Sequence, residues 1–406
     1  MPTMTLKKVF QNRNLTLLWL GQLVSQSGDS IYQVGLLWFV LEITGSSSAT
    51  GLVAMASYLP AVLLSLFAGV AADRGDKRQI MLISDGARFG VVLLVPVALL
   101  FGILDPIFLG INAFAVAIGA TFFNPARDAF IPQIVSKDGL IRANSLIQTT
   151  WQFALLLGPA IAGGLLHYLG NFHLFVACSF TYLFSFIFIL FIRSGGRVIS
   201  ASKNSPSMKE IKDGLVFALK NPIIFPLLLL TAADNMFIMG PAIVASPVFV
   251  KQTLGLGAGA FALIMSCHAV GMLIGSSGLF IIGNRFKKGH ILLVGMVLDG
   301  ITFIPLYFVE SLVSAGIIIV IHSLSVPMMT VSRASLIQDM VPPHMTGRVF
   351  AMVNLSVVGV TALSSGITGL ALEFVDAPTL FLVIGIGGAL CGVAGWIFAK
   401  KLRTSA

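Results

Sequence analysis

Charge is what this chain has least of. Only 10% of its 406 residues are Asp, Glu, Lys or Arg, while 57% belong to the hydrophobic set, and the mean hydropathy is +0.97. A soluble globular chain carries about 25% charged residues, so this one could not cover a surface in water and a bilayer is its expected solvent. Cysteine is scarce as well. Cys178, Cys267 and Cys391 all lie in apolar segments without CxxC or metal-ligand spacing, which argues against a disulfide framework or a zinc site. There is no Walker A glycine-lysine loop, no HExxH and no serine elbow, so neither ATP hydrolysis nor other enzyme chemistry is expected. No cofactor is expected, and any energy source would be an ion gradient, a proton gradient first among them, or a gradient of the substrate itself. A cleavable signal peptide is not expected either, since the first apolar stretch, Leu15 to Leu41, is too long for one.

What the chain has in abundance is apolar runs. With about 20 residues needed to cross the hydrocarbon core, twelve spans are expected: 15–41, 50–72, 79–103, 107–123, 143–168, 173–192, 223–250, 258–282, 291–309, 312–331, 349–372 and 379–399. The fourth is expected to stop at Asn124-Pro125. The longest hydrophilic stretch, Arg193 to Asn221, contains Met208 to Asp213, which reads as a short amphipathic helix. The expected organisation is therefore a six-helix half over 1–192, a cytoplasmic linker over 193–222 and a second six-helix half over 223–406.

The net charge of +9 is better explained by topology than by nucleic acid. With both termini inside, nearly all Lys and Arg fall on inner segments, while the outer loops hold Lys251 beside Glu42, Asp105, Glu310, Glu373 and Asp376. That follows the positive-inside rule and places the chain in the cell inner membrane as a multi-pass protein. An internal repeat supports the two halves. At one offset (333 − 127 = 206) Arg127 falls on Arg333, Arg142 on Arg348, Ile131 on Ile337 and Gly163 on Gly369. Parallel repeats of this kind place a substrate site between the halves near the membrane midplane.

Intramembrane polar residues mark the candidate site. Asp29 sits near the centre of the first span, where a charge costs at least ~2.5–3.5 kcal/mol. Gln22, Gln26, Asp29 and Gln33 follow helical spacing on one face, which is expected to line a water-filled cavity. Asp234 holds the matching place in the second half, with Thr231 one turn earlier and Asn235 adjacent. Two such carboxylates suit proton coupling, a cationic substrate, or both. Tyr32, Trp38, Tyr58, Trp151, Gln152, Met236 and Met239 are further cavity candidates, since aromatic and Met surfaces accept varied apolar ligands. His268 could carry protons or simply hydrogen-bond in the core. Gly271 and Gly275 form a GxxxG packing contact.

One loop is rich in charge. Gly69, Asp73, Arg74, Lys77 and Arg78 lie between the second and third spans, and Asp85 and Arg88, three apart on span three, could pair along the helix and are expected to link to these loop charges. The loop resembles the signature of the major facilitator superfamily: Gly, then Asp-Arg, then a basic pair, with Asp76 where Gly is usual. Ser27-Gly28-Asp29, Asn124-Pro125-Ala126-Arg127, Ile131-Pro132 and Arg142-Ala143-Asn144-Ser145-Leu146 resemble one branch, which contains macrolide efflux proteins and the enterobactin exporter. Gly158-Pro159, followed by Gly163-Gly164, is similar to the exporter motif of this superfamily with one extra residue in its gap. The resemblance implies an all-α membrane fold, a cytoplasmic latch formed by the loop charges, and proton-coupled efflux of a small amphipathic or cationic molecule by alternating access. Uptake by proton symport, or a lipid flippase or non-transporting receptor on the same fold, remain alternatives. The expected partners are a small-molecule substrate and membrane lipid, with no nucleic acid, and the chain is expected to act as a monomer.

Overall fold

A computed structural model describes residues 12–136, 139–193 and 215–405. In hydrocarbon every backbone donor and acceptor must be satisfied within the chain, and the described residues accordingly form helices with no strand. The first six spans are α1 (Arg13–Thr44), α2 (Ser47–Arg74), α3 (Lys77–Phe101), α4 (Pro106–Ile134), α5 (Leu140–Tyr168) and α6 (Gly170–Leu190). The next six are α7 (Ile224–Thr253), α8 (Ala258–Ile282), α9 (Lys288–Phe308), α10 (Leu312–Met340), α11 (Pro343–Ala371) and α12 (Ala377–Phe398). Two π-helical turns, Asn235–Met239 and Phe249–Thr253, interrupt α7.

Eleven of these helices are long and apolar enough to cross a membrane; α1, at 32 residues, is long enough but too polar to count with them. The polar face of Gln22, Gln26, Asp29 and Gln33 accounts for that. The span limits mostly follow the expectation, with one correction at α4. That helix continues through Pro125 and Pro132 to Ile134 instead of stopping at Asn124-Pro125. The apolar face continues with it: Ala126, Phe130 and Ile131 are all buried, and neighbouring helices compensate a proline's missing donor. The amphipathic helix expected at Met208–Asp213 lies outside the described residues.

Helix starts are fixed by acids and prolines at the polar boundary. Asp76 accepts from the backbone N–H groups of Arg78 and Gln79 to cap α3. Asp105 caps α4 ahead of Pro106, Ser311 caps α10, and Asp376 caps α12. Each such cap stabilises its helix by about 1 kcal/mol.

The chain packs as two compact units, Met1–Val40 with Ala56–Ser205 and Leu41–Met55 with Pro206–Ala406. The tip of the α1–α2 hairpin thus packs with the second unit. There Glu373 accepts hydrogen bonds from the Ser48 backbone and the Ser46 hydroxyl at 2.9 and 3.0 Å, and these hold its carboxyl below the usual range. Each unit has its own apolar cluster: Leu18, Met81, Phe130, Ile131 and Ile189 in the first, Leu227, Leu293, Leu336, Ile337 and Val349 in the second. Ile131 and Ile337, partners in the repeat, are 1% and 0% exposed, so the repeat has a packing basis. Large apolar side chains such as Phe280, Phe374 and Phe398 are exposed, as lipid-facing surfaces require.

Candidate functional site

In the first unit the charged centre is built on α1, α3, α4 and α6. Arg88 is buried on α3 and donates to Asp29 on α1 at 3.1 Å, while its other terminal nitrogen pairs with Asp85 one turn back on α3. Its guanidinium lies 5.0 Å from the Phe123 ring centre and 4.5 Å from that of Tyr182, a cation–π sandwich suited to a desolvated arginine. The Tyr182 hydroxyl donates to Asp29 at 2.7 Å. Arg88 and Asp85 are closed off, at 2% and 0% side-chain exposure, but Asp29 is 42% exposed. One carboxylate is locked in the interior, then, and the other is accessible while still held by a cation and a hydroxyl.

This corrects the sequence reading in two respects. Asp85 and Arg88 do pair along α3, but their onward link is to Asp29 and Tyr182, away from the loop charges. The polar face of α1 also divides. Gln22 and Gln26 are buried in a chain of bonds in which Arg127 and Gln26 both donate to the Gln22 oxygen at 2.9 and 3.2 Å. Arg127 reaches Gln22 because α4 continues past Pro125. Only Asp29 and Gln33 retain exposed surface, and Gln33 donates to the Tyr58 hydroxyl at 2.7 Å.

The aromatic candidates divide in the same way. Tyr32, donating to Asn112 at 2.8 Å, and Trp38 are buried at 5% and 4% exposure, so they are core residues, not an open lining. Trp151 and Met239 are exposed, while Tyr58, Gln152 and Met236 are half-buried. On α5, Gly158 and Pro159 are buried and Gly163 is too. A β-carbon at Gly158 would overlap Ser30, the residue after Asp29, whereas one at Gly164 would meet nothing. The front of the exporter-like motif therefore seats α5 against α1 beside the acid.

The loop between α2 and α3 is held mainly by capping bonds. Lys77 donates to the backbone oxygens of Asp73 and Gly75, each at 3.2 Å. Arg78 donates to those of Ile189 and Leu190 at 3.2 and 2.6 Å, placing a cation on the negative end of α6. Asp73 and Arg74 are exposed, and Gly69 is half-buried with open space around it. Asp76, the departure from the family signature, serves as the cap of α3.

In the second unit Asp234, Thr231 and Arg333 line one small cavity with Met296 and Met329. Asp234 ends the regular α-helical part of α7 where the first π turn begins, a local widening that is frequent at functional sites. Asn235 steadies that turn. It donates to the Thr231 backbone at 2.7 Å, and its side chain and backbone oxygens accept from Thr361 and Ser364, each at 3.1 Å. Beyond the cavity, Asp299 on α9 accepts from Ser325 at 2.7 Å and lies 3.6 Å from His322 on α10. Asp299 is buried like Asp85 but has a histidine and a hydroxyl in place of an arginine. Sequence reasoning passed over Tyr182, Arg333 and His322 as site residues. Arg333 carried a usable signal as the repeat partner of Arg127, and Tyr182 is one of only five tyrosines.

Twelve helices in two repeated units, each with an acid near the middle of its first helix, are the construction of a major facilitator transporter. Within that superfamily the chain belongs to the transmembrane secretion effector family, whose model matches residues 7–403. It is 26% identical over 404 residues to the multidrug efflux pump Tap of Mycolicibacterium fortuitum, covering 96% of each chain. It is 25% identical over 344 residues to macrolide efflux protein A of Streptococcus pyogenes, covering 82% of this chain and 83% of that one. Among solved structures it resembles a bacterial homologue of the iron transporter ferroportin in an inward-facing state, with TM-score 0.76, 17% identity and 97% and 99% coverage. It also resembles the nucleoside transporter NupG, with TM-score 0.76, 11% identity and 96% and 100% coverage.

Proposed function

We propose that this transporter is a proton-coupled exporter of a small amphipathic or cationic molecule, working by alternating access as a monomer. The observation that carries the reading is Asp29: an accessible carboxylate in mid-membrane, held by Arg88 at 3.1 Å and Tyr182 at 2.7 Å. When Asp29 is ionised, Arg88 balances it. When it takes a proton or faces a cationic substrate, Arg88 is left to Asp85 alone. Proton and substrate thus compete for one charge, which is the requirement for exchange. Asp234 with Arg333 offers a comparable acid–base arrangement in the second unit. The efflux function named for two relatives supports the outward direction. The reading places both termini in the cytoplasm and the chain in the inner membrane, with no enzyme activity and no nucleic-acid partner.

The test uses inside-out vesicles and a panel of dyes, macrolides and siderophores. An exporter by proton antiport concentrates its substrate when the lumen is acid; accumulation indifferent to the proton gradient in the wild type would defeat the reading. Asp73 enters as a moving part. Exposed in this structure, it is assigned the latch role on the side of the basic loops, so Asp73→Asn should slow transport several-fold, on the order of 1 kcal/mol, with normal membrane content on immunoblots.

A further inference from the structure

The second unit holds a group of titratable side chains that the exchange at Asp29 and Asp234 does not use. His268 on α8, Asp299 on α9 and His322 on α10 each sit near the middle of a span, and close packing brings them together. A β-carbon on Gly271 or Gly275 of α8 would overlap the backbone of Val320 or Leu324 on α10, so the two helices touch along this glycine edge. The result is a pair of imidazole rings 6.2 Å apart and nearly parallel, at 27°, with the Phe303 ring edge-on to His322 at 4.3 Å.

The hydrogen bonds fix where protons reside. Nδ1 of His322 faces three oxygens: Thr302 Oγ1 at 3.2 Å, the Asp299 backbone oxygen at 3.3 Å and Asp299 Oδ1 at 3.6 Å. Thr302 directs its own hydroxyl to Leu298 at 2.6 Å, so all three oxygens act as acceptors and Nδ1 carries hydrogen. Likewise the Ser323 hydroxyl donates to Ile319 at 2.7 Å, leaving its oxygen to accept from His268 Nδ1 at 2.6 Å. Ser325 is the adaptable member. Its oxygen lies 2.7 Å from Asp299 Oδ1 and 2.6 Å from the His322 backbone oxygen. With Asp299 ionised, Ser325 donates to the carboxylate. With Asp299 protonated, the carboxyl donates to Ser325, which turns its hydrogen to the His322 backbone. Both protonation states are satisfied without moving a helix, as a group that must change state requires.

The charged surroundings are sparse. Asp234 lies within electrostatic reach of Asp299 and of Arg333, Cys267 adjoins His268, and Cys391 lies near Asp234. No lysine or arginine hydrogen-bonds to Asp299 or to either ring among the described residues. Two imidazolium ions this close repel, so the histidine pair holds at most one charge, and Asp299 is placed to balance it.

We propose that His322 and Asp299, with His268 beside them, form a second proton-binding centre of this transporter, distinct from Asp29 and Asp234. Its role in transport rests on the proton-coupled reading above; its existence does not. The step is a bare proton exchange: an N–H or O–H bond at His322 or Asp299 breaks as water or the neighbouring group takes the proton.

The test is 15N-histidine NMR of the full chain in lipid nanodiscs, with His322 assigned by its loss in His322→Gln. His322 should change protonation state in one step within the pH range over which the protein stays folded, and Asp299→Asn should displace that step by about one pH unit or more. Ser325→Ala, which changes no charge, should displace it too and serves if Asp299→Asn fails to fold. A His322 that keeps one protonation state throughout, or titrates identically in the wild type and the variants, would overturn the proposal. The parallel measurement is proton movement in proteoliposomes on adding tetraphenylphosphonium, ethidium and erythromycin. His322 titration without substrate-driven proton movement would leave the centre standing and remove proton coupling. Proton movement that depends on Asp29, with an inert His322, would do the reverse.

Discussion

The two units solve one problem in different ways. Each must keep a carboxylate in the middle of a membrane. The first supplies Arg88, a permanent cation buried at 2% exposure and sandwiched between two aromatic rings. The second surrounds Asp299 with His322 and Ser325, groups that can gain, lose or redirect a proton. A guanidinium does not titrate at accessible pH, so in the first unit the cation is fixed. In the second, acid and base can both change. Repetition of a six-helix plan has therefore given a fixed-charge centre on one side and a titratable one on the other.

The sharpest way to break this contrast is to remove the fixed charge. Arg88→Ala leaves Asp85 buried without its partner, a change that costs about 3–5 kcal/mol, and thermal denaturation in detergent should show a strongly destabilised protein without transport. Adding Asp85→Asn should recover much of the stability but not the transport, since Asp29 would still lack its cation. Next come the accessible acids. Asp29→Asn keeps the shape and should lower proton-driven transport at least about tenfold, equivalent to about 1.4 kcal/mol, with normal folding; Asp234→Asn should act in the same direction. Substrate-induced proton flux unchanged in both variants would remove them from coupling.

A smaller effect sharpens the contrast from the packing side. Gly271→Leu should wedge α8 away from α10, costing about 1–3 kcal/mol by overpacking and separating the rings of the second centre while leaving the first intact. A reduced melting temperature with an undisturbed Asp29 phenotype is the expected pattern. The smallest effect lies outside both centres, at Glu373. Its folded carboxyl is held below the usual range by the Ser48 and Ser46 bonds, so its contribution is present above the unfolded carboxylate pKa and is lost as pH falls through the folded value. Glu373→Gln should lower the neutral plateau slightly while leaving the acid end unchanged, and so flatten the acid limb of the stability profile.

The helices, the repeat and Asp29 were legible in the sequence because each rests on a local pattern: apolar length, residue offset, or a lone charge in a greasy run. The end of α4 was not, because a proline's effect depends on which neighbours are packed against it. The partners of Asp29 were not legible either, since Arg88 and Tyr182 lie 59 and 153 residues away and meet it only through helix packing. Arg88 looked like a member of the loop cluster because it lies on the helix that Lys77 and Arg78 begin. His322, which gives the Asp299 centre its different chemistry, had no motif around it.

The polarity of α1 also bears on how the chain is made. Helix α1, which is synthesised before α2 and α3, is too polar to qualify as a membrane span by composition, and it carries an aspartate costing ~2.5–3.5 kcal/mol at the bilayer centre. Its cation is encoded 59 residues later, a wait of roughly 3–12 s at ~5–20 residues per second. Until α3 follows it, α1 has no internal remedy for that charge. The pairing with Arg88 that offsets this charge is thus available only once α3 has been synthesised.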